Sequence, residues 1–302
     1  MAGVTVVVVS DFEPNAGKSW RDEIAMLNAL ASQDVSTEFP VIVAESSEHD
    51  GTALPPAMRS SVPKLQMHYV PSTRSATLKD SAVAECRTPY VVVVEADALP
   101  EPDWLRRICE TAELHPDADV VSGRTYYGEE SSWQRIMNLI GRSFDDSGAT
   151  GPSESVSNNG ALYKTEALRQ FPYPPGATPF LSARRRNAQM RAAGLRFHFC
   201  REARMRHAIG GMRFAFDVHR NAGYSDLMIS GQRSLWGAIC CSARRVKRGV
   251  GVARTLGRQY LKPRDWPLWV AAFAMVRLPE WVGMIEAIRV GEQQFLAGSD
   301  YR

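Results

Sequence analysis

The spacing of apolar residues changes its period along this chain. Three β-branched runs, Val4 to Val9, Val41 to Val43 and Val91 to Val94, are apolar at consecutive positions. That is the pattern of strands covered on both faces of a mostly parallel sheet. Between them the period becomes helical: Trp20, Ile24, Leu27 and Ala31 recur at helix spacing within 19–32. Residues 75–87 and 103–114 form two further candidate helices, the second with Asp103 at its N-cap behind Pro102. The chain therefore opens βαβαβ. Residues 141–160 turn to Gly, Ser, Asp and Asn, the composition of a long mobile loop. Ala183 to Ala193 reads as a basic helix closed by Gly194 and followed by a strand from Leu195 to Phe199.

A length of 302 residues suits one large α/β domain, or a core domain with a C-terminal extension. The 36 basic residues nearly balance the 33 acidic ones, which argues against nucleic acid as the main partner. Five cysteines, an odd number without a CxxC pair, indicate a reduced cytosolic protein lacking a disulfide framework or structural zinc. The N-terminus has no basic n-region and reads as a strand, not a signal peptide. No uninterrupted apolar run reaches the roughly 18 residues expected of a spanning helix.

The stretch VVVVSDFEPNAGKSW, 6–20, has the strand, loop and helix order of a phosphate-binding loop. Such a loop needs glycine where Phe12 stands, and Asp11 and Glu13 would put carboxylates in a cradle for anions. The expectation is that Ser19 caps the helix and Lys18 is solvated, with a P-loop NTPase kept only as the third functional reading.

The segment TPYVVVVEADALPEPDWL, 88–105, is more informative. A buried strand that ends in Glu95 and Asp97 delivers both carboxylates to the crevice where open α/β sheets bind ligands. Paired oxygen donors there can hold Mg²⁺ or Mn²⁺ against a diphosphate, or can simply end a strand and cap a turn.

With its following Leu99-Pro100-Glu101-Pro102-Asp103-Trp104-Leu105, this motif resembles the Asp-x-Asp element of the family 2 glycosyltransferases. The likeness runs over about residues 4–210 and includes SNNGALYKTEAL, 157–168, and RAAGLRFHFCREARMRH, 191–207. It implies a GT-A fold, a Rossmann-like, mostly parallel α/β sheet flanked by helices. A nucleotide-binding half at about 1–105 and an acceptor half at about 106–210 would be followed by a helical extension, 211–302. It further implies that Asp97, Glu95 and His207 hold Mg²⁺ or Mn²⁺, and that Ser10, Asp11, Glu13, Glu45, Lys79 and Asp80 line the nucleotide. The implied reaction moves a sugar from a nucleotide-diphosphate donor, with inversion, to a polysaccharide, glycolipid or lipid-linked acceptor on the cytoplasmic face of a membrane.

Inverting members place an acidic pair about a dozen residues before the Ala-Gly matched by Ala193-Gly194; one carboxylate is the general base, worth roughly 10²- to 10⁴-fold in rate. This chain has Ser182 and Ala183 there, and no acid between Glu166 and Glu202. Asp145, Asp146 and Glu154 are the substitute candidates; an acidic acceptor, or a protein that binds or scaffolds without turnover, are the other accounts. Arg184-Arg185-Arg186 is read as a solvated helix face, with an anion-holding role as the alternative. Between Leu227 and Arg264 the chain has nine basic residues and no acid, and a Trp-rich apolar segment follows. That combination suits a surface lying on an anionic membrane.

Overall fold

The computed structural model describes residues 3–10, 18–36, 38–143, 146, 148–174, 178–208 and 211–297. The chain forms two compact units. The first comprises Met1–Tyr126, Asp145–Tyr173 and Arg186–Ala208; the second comprises Tyr127–Phe144, Pro174–Arg185 and Ile209–Arg302.

In chain order the elements of the first part are β1 (Val4–Val9), α1 (Arg21–Ala31), β2 (Val41–Ser46), α2 (Pro56–Ser61), β3 (Leu65–Val70), α3 (Ser75–Glu85), β4 (Tyr90–Glu95), β5 (Ala98–Pro100), α4 (Trp104–Leu114) and β6 (Val120–Tyr126). Then come α5 (Ser132–Met137) with a π turn at Asn138–Arg142, β7 (Gly151–Ser153), β8 (Ala161–Lys164), α6 (Thr165–Gln170), α7 (Pro179–Ala192) and β9 (Phe197–His207). The rest is helical: α8 (Met212–Ser230), α9 (Leu235–Tyr260), α10 (Trp266–Met275), α11 (Arg277–Arg289) and α12 (Glu292–Ala297).

The first unit is built on one mixed sheet of order β3-β2-β1-β4-β8-β6-β9-β5, with β7 also on β9. Strands β3, β2, β1 and β4 are parallel, and β8 is antiparallel to both of its neighbours. Valines alternate across β1: Val4, Val6 and Val8 join one apolar core with α1 and α4, whereas Val7 and Val9 join another with α3 and α6. An unbroken valine run is thus what a strand with two covered faces requires. Strand β9 pairs in parallel with β6 in two blocks, Gly123 facing Cys200 and the next residue, Arg124, facing Arg204, so a bulge separates them. A Cβ on Gly123 would run into the Ala203 carbonyl at this point.

Three local expectations change. Helix α1 starts at Arg21 behind Trp20, which makes no side-chain cap, so Ser19 is not the N-cap; Lys18 is exposed. Asp103 does precede α4, yet its carboxylate accepts from Arg107 Nε at 3.0 Å and leaves the helix end uncapped. The 141–160 stretch is not all loop, since β7 adds to the sheet through Gly151–Ser153.

The second unit has two apolar cores. One gathers α5, the π turn, the end of α9 and α10; the other gathers Leu181 with α8, the start of α9, α11 and α12. The 27 residues Pro263–Arg289 are long and apolar enough, by length and composition, to cross a membrane, although charged residues and prolines interrupt the apolar run. Within that stretch Glu280 is buried, accepts from Arg245 Nη2 at 2.6 Å and lies 2.8 Å from Arg277 Nη1, while Gly283, Met284 and Ala287 are buried.

Helices α8 and α11 cross backbone to backbone: a Cβ on Gly283 would overlap the Arg220 carbonyl oxygen, and one on Gly223 the Glu280 carbonyl oxygen. Gly283→Ala should therefore cost about 1–3 kcal/mol by forcing the helices apart. Gly251→Ala, inside α9 with open space around it, should instead gain up to about 1 kcal/mol of helix propensity. Thermal unfolding of the two variants checks the pair, and a Gly283→Ala melt at the wild-type temperature would rule out the close crossing.

Candidate functional site

The parallel strands end together at one edge of the sheet. Val9 pairs with Ala44 on one side and Glu95 on the other, so Ser10 and Glu45 follow one residue beyond the level of Glu95 at this edge. Beyond Glu95 the chain turns back through Ala96 and Asp97 into β5, whose Ala98 pairs with His207. The Ala208 N–H donates to the Asp97 carbonyl at 2.9 Å, which closes the ladder. These main-chain bonds bring Glu95, Asp97 and His207 together, with one ligand atom from each lying within 4.8 Å of the others. His207 Nε2 is 3.4 Å from Asp97 Oδ1 and 3.9 Å from Glu95 Oε2.

The donor set fits a divalent cation. His207 Nδ1 is 2.8 Å from the Ala208 carbonyl oxygen. A carbonyl can only accept, so Nδ1 carries the proton and in the neutral ring the Nε2 lone pair faces the two carboxylates. Two carboxylates and one imidazole nitrogen form a mixed set that Mn²⁺ accepts readily and Mg²⁺ less so.

Glu95 is itself held from two sides. Lys79 Nζ donates to Oε1 at 2.7 Å, and Asn159 both donates to Oε2 from Nδ2 at 3.0 Å and accepts the Glu95 N–H at 3.0 Å. Burial alone would raise this carboxyl, but the Lys79 ammonium keeps it well below the usual carboxylate range. Both Glu95 oxygens are thus engaged by neighbouring side chains. The clamp of Asn159 on Glu95 spans 64 positions in sequence, a distance no local pattern reports.

The other expected residues divide. Glu45 is buried; its Oε1 accepts the Ser46 N–H, and Oε2 has no hydrogen-bond partner among the described residues. Ser10 Oγ donates to Glu23 of α1 at 2.7 Å, a partner that the helix pattern concealed at a buried position. Asp11, Glu13 and Asp145 lie outside the described residues. Asp80 accepts the Tyr173 N–H at 2.8 Å.

Ser182, at the position of the expected base, is fully buried, and Ala183 beside it is buried too. Asp146 is buried, accepts the Gly148 N–H at 2.7 Å and lies 3.7 and 3.5 Å from the Arg124 and Arg201 guanidiniums, a setting that holds it in an ion network. Glu154 is exposed, 3.7 Å from Arg191. The arginine run is not a solvated face. Arg184 pairs with Asp226 and Arg185 with Glu292, while Arg186 is 1% exposed, donates to Asn158 and Tyr163 at 2.9 Å and lies over the Tyr173 ring at 3.9 Å.

The mixed sheet flanked by helices matches the architecture of known glycosyltransferases. The family description "Glycosyl transferase family 2" matches residues 26–189, more than half of the chain. The chain belongs to this family and has the GT-A fold. A mannosyltransferase from Pyrobaculum calidifontis, solved with GDP-Man and Mn²⁺, superposes with a TM-score of 0.58 at 15% identity, over 95% of this chain and 87% of that one. S. aureus TarS 1–349, solved alone and with UDP-GlcNAc, gives a TM-score of 0.48 at 15% identity over 99% of this chain and 93% of that one, too loose to add to the assignment. No curated protein matches the sequence.

Burial pushes the Asp80 carboxyl up to about 6 from its ordinary 3.8, against the pull of the Tyr173 N–H and the nearby Arg186 and Lys79 charges. The folded chain then keeps a proton that the unfolded chain has released, so between about pH 4 and pH 6 this group's contribution to stability is lost as pH rises. Asp80→Asn retains an acceptor for Tyr173 and should flatten that part of the stability curve. Urea midpoints of both proteins from pH 4 to pH 7 measure it; parallel curves would mean that Asp80 ionises normally.

Proposed function

We propose that the protein is a metal-dependent glycosyltransferase that binds a nucleotide-diphosphate sugar at the C-terminal edge of β1, β2 and β4. The observation that carries this reading is the convergence of Asp97, Glu95 and His207 at the edge where the parallel strands end. Asp97 and His207 Nε2 would hold Mg²⁺ or Mn²⁺, whose charge would stabilise the leaving diphosphate. Lys79 and Asn159 keep Glu95 ionised and aimed. The buried, half-satisfied Glu45 carboxylate is placed to accept a base or ribose donor, which would complete its hydrogen bonding. Ser10 borders the same edge, and the expected Asp11 and Glu13 contacts belong to the same proposal, as does the division at about residue 210 into transferase domain and helical extension.

The proposed transfer is a single displacement with inversion. The acceptor oxygen attacks the anomeric carbon, the bond to the diphosphate breaks, and the hydroxyl proton leaves to a base. Helix α7 offers no carboxylate for that proton, so the acceptor's own acidity or a residue near Asp145 supplies the step. A polysaccharide, glycolipid or lipid-linked acceptor at the cytoplasmic membrane face fits the basic, Trp-bearing helices of the second unit. The same gap at Ser182 supports a second reading, nucleotide-sugar binding without turnover.

The test is thermal unfolding with UDP, GDP, dTDP, CDP, ADP and ATP, each with and without Mn²⁺. A ligand at 100 times its Kd adds about 2.7 kcal/mol, a rise of roughly 5–10 °C for a unit of this size. One nucleoside diphosphate should stabilise the protein only with metal, and Asp97→Asn should abolish the effect. No stabilisation by any of them would overturn the donor-site reading, whereas stabilisation without sugar release from the matching donor would leave the binding-only protein.

A further inference from the structure

Asn159 and Lys79, the two side chains that hold Glu95, are both backed by one residue. Arg186 of α7 is buried, and its Nη2 donates at 2.9 Å to Asn158 Oδ1, next in sequence to the Asn159 that grips Glu95. The same nitrogen donates to the Tyr163 hydroxyl of β8 at 2.9 Å. The next residue of α7 adds a second point of attachment, since Asn187 Nδ2 donates to the Val156 carbonyl at 3.1 Å. The far end of the segment is pinned to the sheet, where the Gly160 N–H donates to the Val93 carbonyl of β4 at 2.8 Å. Residues 156–160 are thus strung between α7 and β4, and the place of Asn159 follows from both attachments.

The guanidinium reaches the Lys79 arm through an aromatic ring. Arg186 lies over the Tyr173 ring at 3.9 Å and over the Tyr163 ring at 5.2 Å. Tyr173 is tied to α3 by its N–H, which donates to Asp80 at 2.8 Å, and Lys79 Nζ lies 5.8 Å from the centre of its ring. Lys79 is buried and donates to Glu95 Oε1 at 2.7 Å. A guanidinium can stack with its face while it donates from its edge, a combination that an ammonium lacks. One planar cation therefore supports both arms, and all of these residues belong to the first unit.

We propose that Arg186 is a positioning residue for the cluster of Glu95, Asp97 and His207. It sets how tightly the cluster holds a divalent cation, by fixing the segment that carries Asn159 and the ring beside Lys79. A carboxylate that is already aimed loses less side-chain freedom when an ion binds, and partners one step removed from the ligands tune metal affinity for this reason. The inference rests on the metal-dependent reading of the cluster and adds to it a residue that acts at one remove.

Titration of Mn²⁺ with the full chain, read by the electron paramagnetic resonance of the free ion, tests the proposal on protein shown to be folded by circular dichroism. The wild type should take up Mn²⁺ saturably, and Asp97→Asn should not. Arg186→Met keeps most of the side-chain volume and should weaken Mn²⁺ binding about tenfold, the low end of what outer partners of metal ligands contribute. Arg186→Lys restores the charge without the fork or the stacked plane, so it should recover only part of the loss. Asn158→Ala, at a half-buried position, removes one arm and should shift affinity in the same direction; it serves if the Arg186 variants fail to fold. Gly283→Ala, in the second unit, is the control for lost stability and should bind Mn²⁺ as the wild type does. Wild-type Mn²⁺ affinity in folded Arg186→Met, or in Asn158→Ala where that variant has to serve, overturns the proposal and leaves the metal reading intact. Equal weakening by Gly283→Ala would mean lost stability in place of positioning, and overturns it too. No uptake by the folded wild type would remove the metal reading and this inference with it.

Discussion

The short antiparallel pairing of β5 with the end of β9 is the constraint on which the site depends. Neither Asp97 nor His207 can choose its neighbour by side-chain chemistry alone, because two carboxylates and an imidazole have little reason to converge in water. The main-chain ladder from Ala98 to His207, closed by the Ala208 N–H on the Asp97 carbonyl, imposes the convergence first. Lys79 and Asn159 then make it tolerable by neutralising and orienting Glu95. The clamp is built from elements on both sides of the sheet edge, α3 and the segment before β8, so it forms only when the sheet has closed.

Charge is handled in a consistent way elsewhere. In the first unit Arg186 is enclosed by aromatic rings and an asparagine, and Asp146 is set between two guanidiniums. In the second unit Arg135 donates from Nε to buried Asp265 at 2.8 Å. Buried ions like these add little net stability, but losing one partner is costly.

The valine strands were legible because a run covered on two faces has a signature that survives without partners. Strand β3, LQMHYV, was not, since an edge strand with half-exposed polar positions looks like a loop. Strand β6, VVSGRTY, failed for another reason: its polar residues are buried by tertiary partners that a local pattern does not show. Asp97, Glu95 and His207 were readable as a group through resemblance to a family, and the ladder that joins them was not. The arginine run was misread because a guanidinium that stacks on Tyr163 and Tyr173 has the same letters as one in water. The absence of an acid at Ser182 could be read at once, and its burial adds that the position faces a core.

The bulge in β9 has a consequence for how this chain tolerates insertion and deletion. Side chains alternate along a strand, so the extra residues between Cys200 and Arg204 decide on which side of the sheet every later residue of β9 emerges. His207 is in that later block. A change of one residue in the length of the bulge would either be absorbed there or slip the later block by one position against β5 and β6, and the slip would turn the imidazole to the opposite face of the sheet. Residues 201–203 thus act as the indexing step that assigns His207 its side.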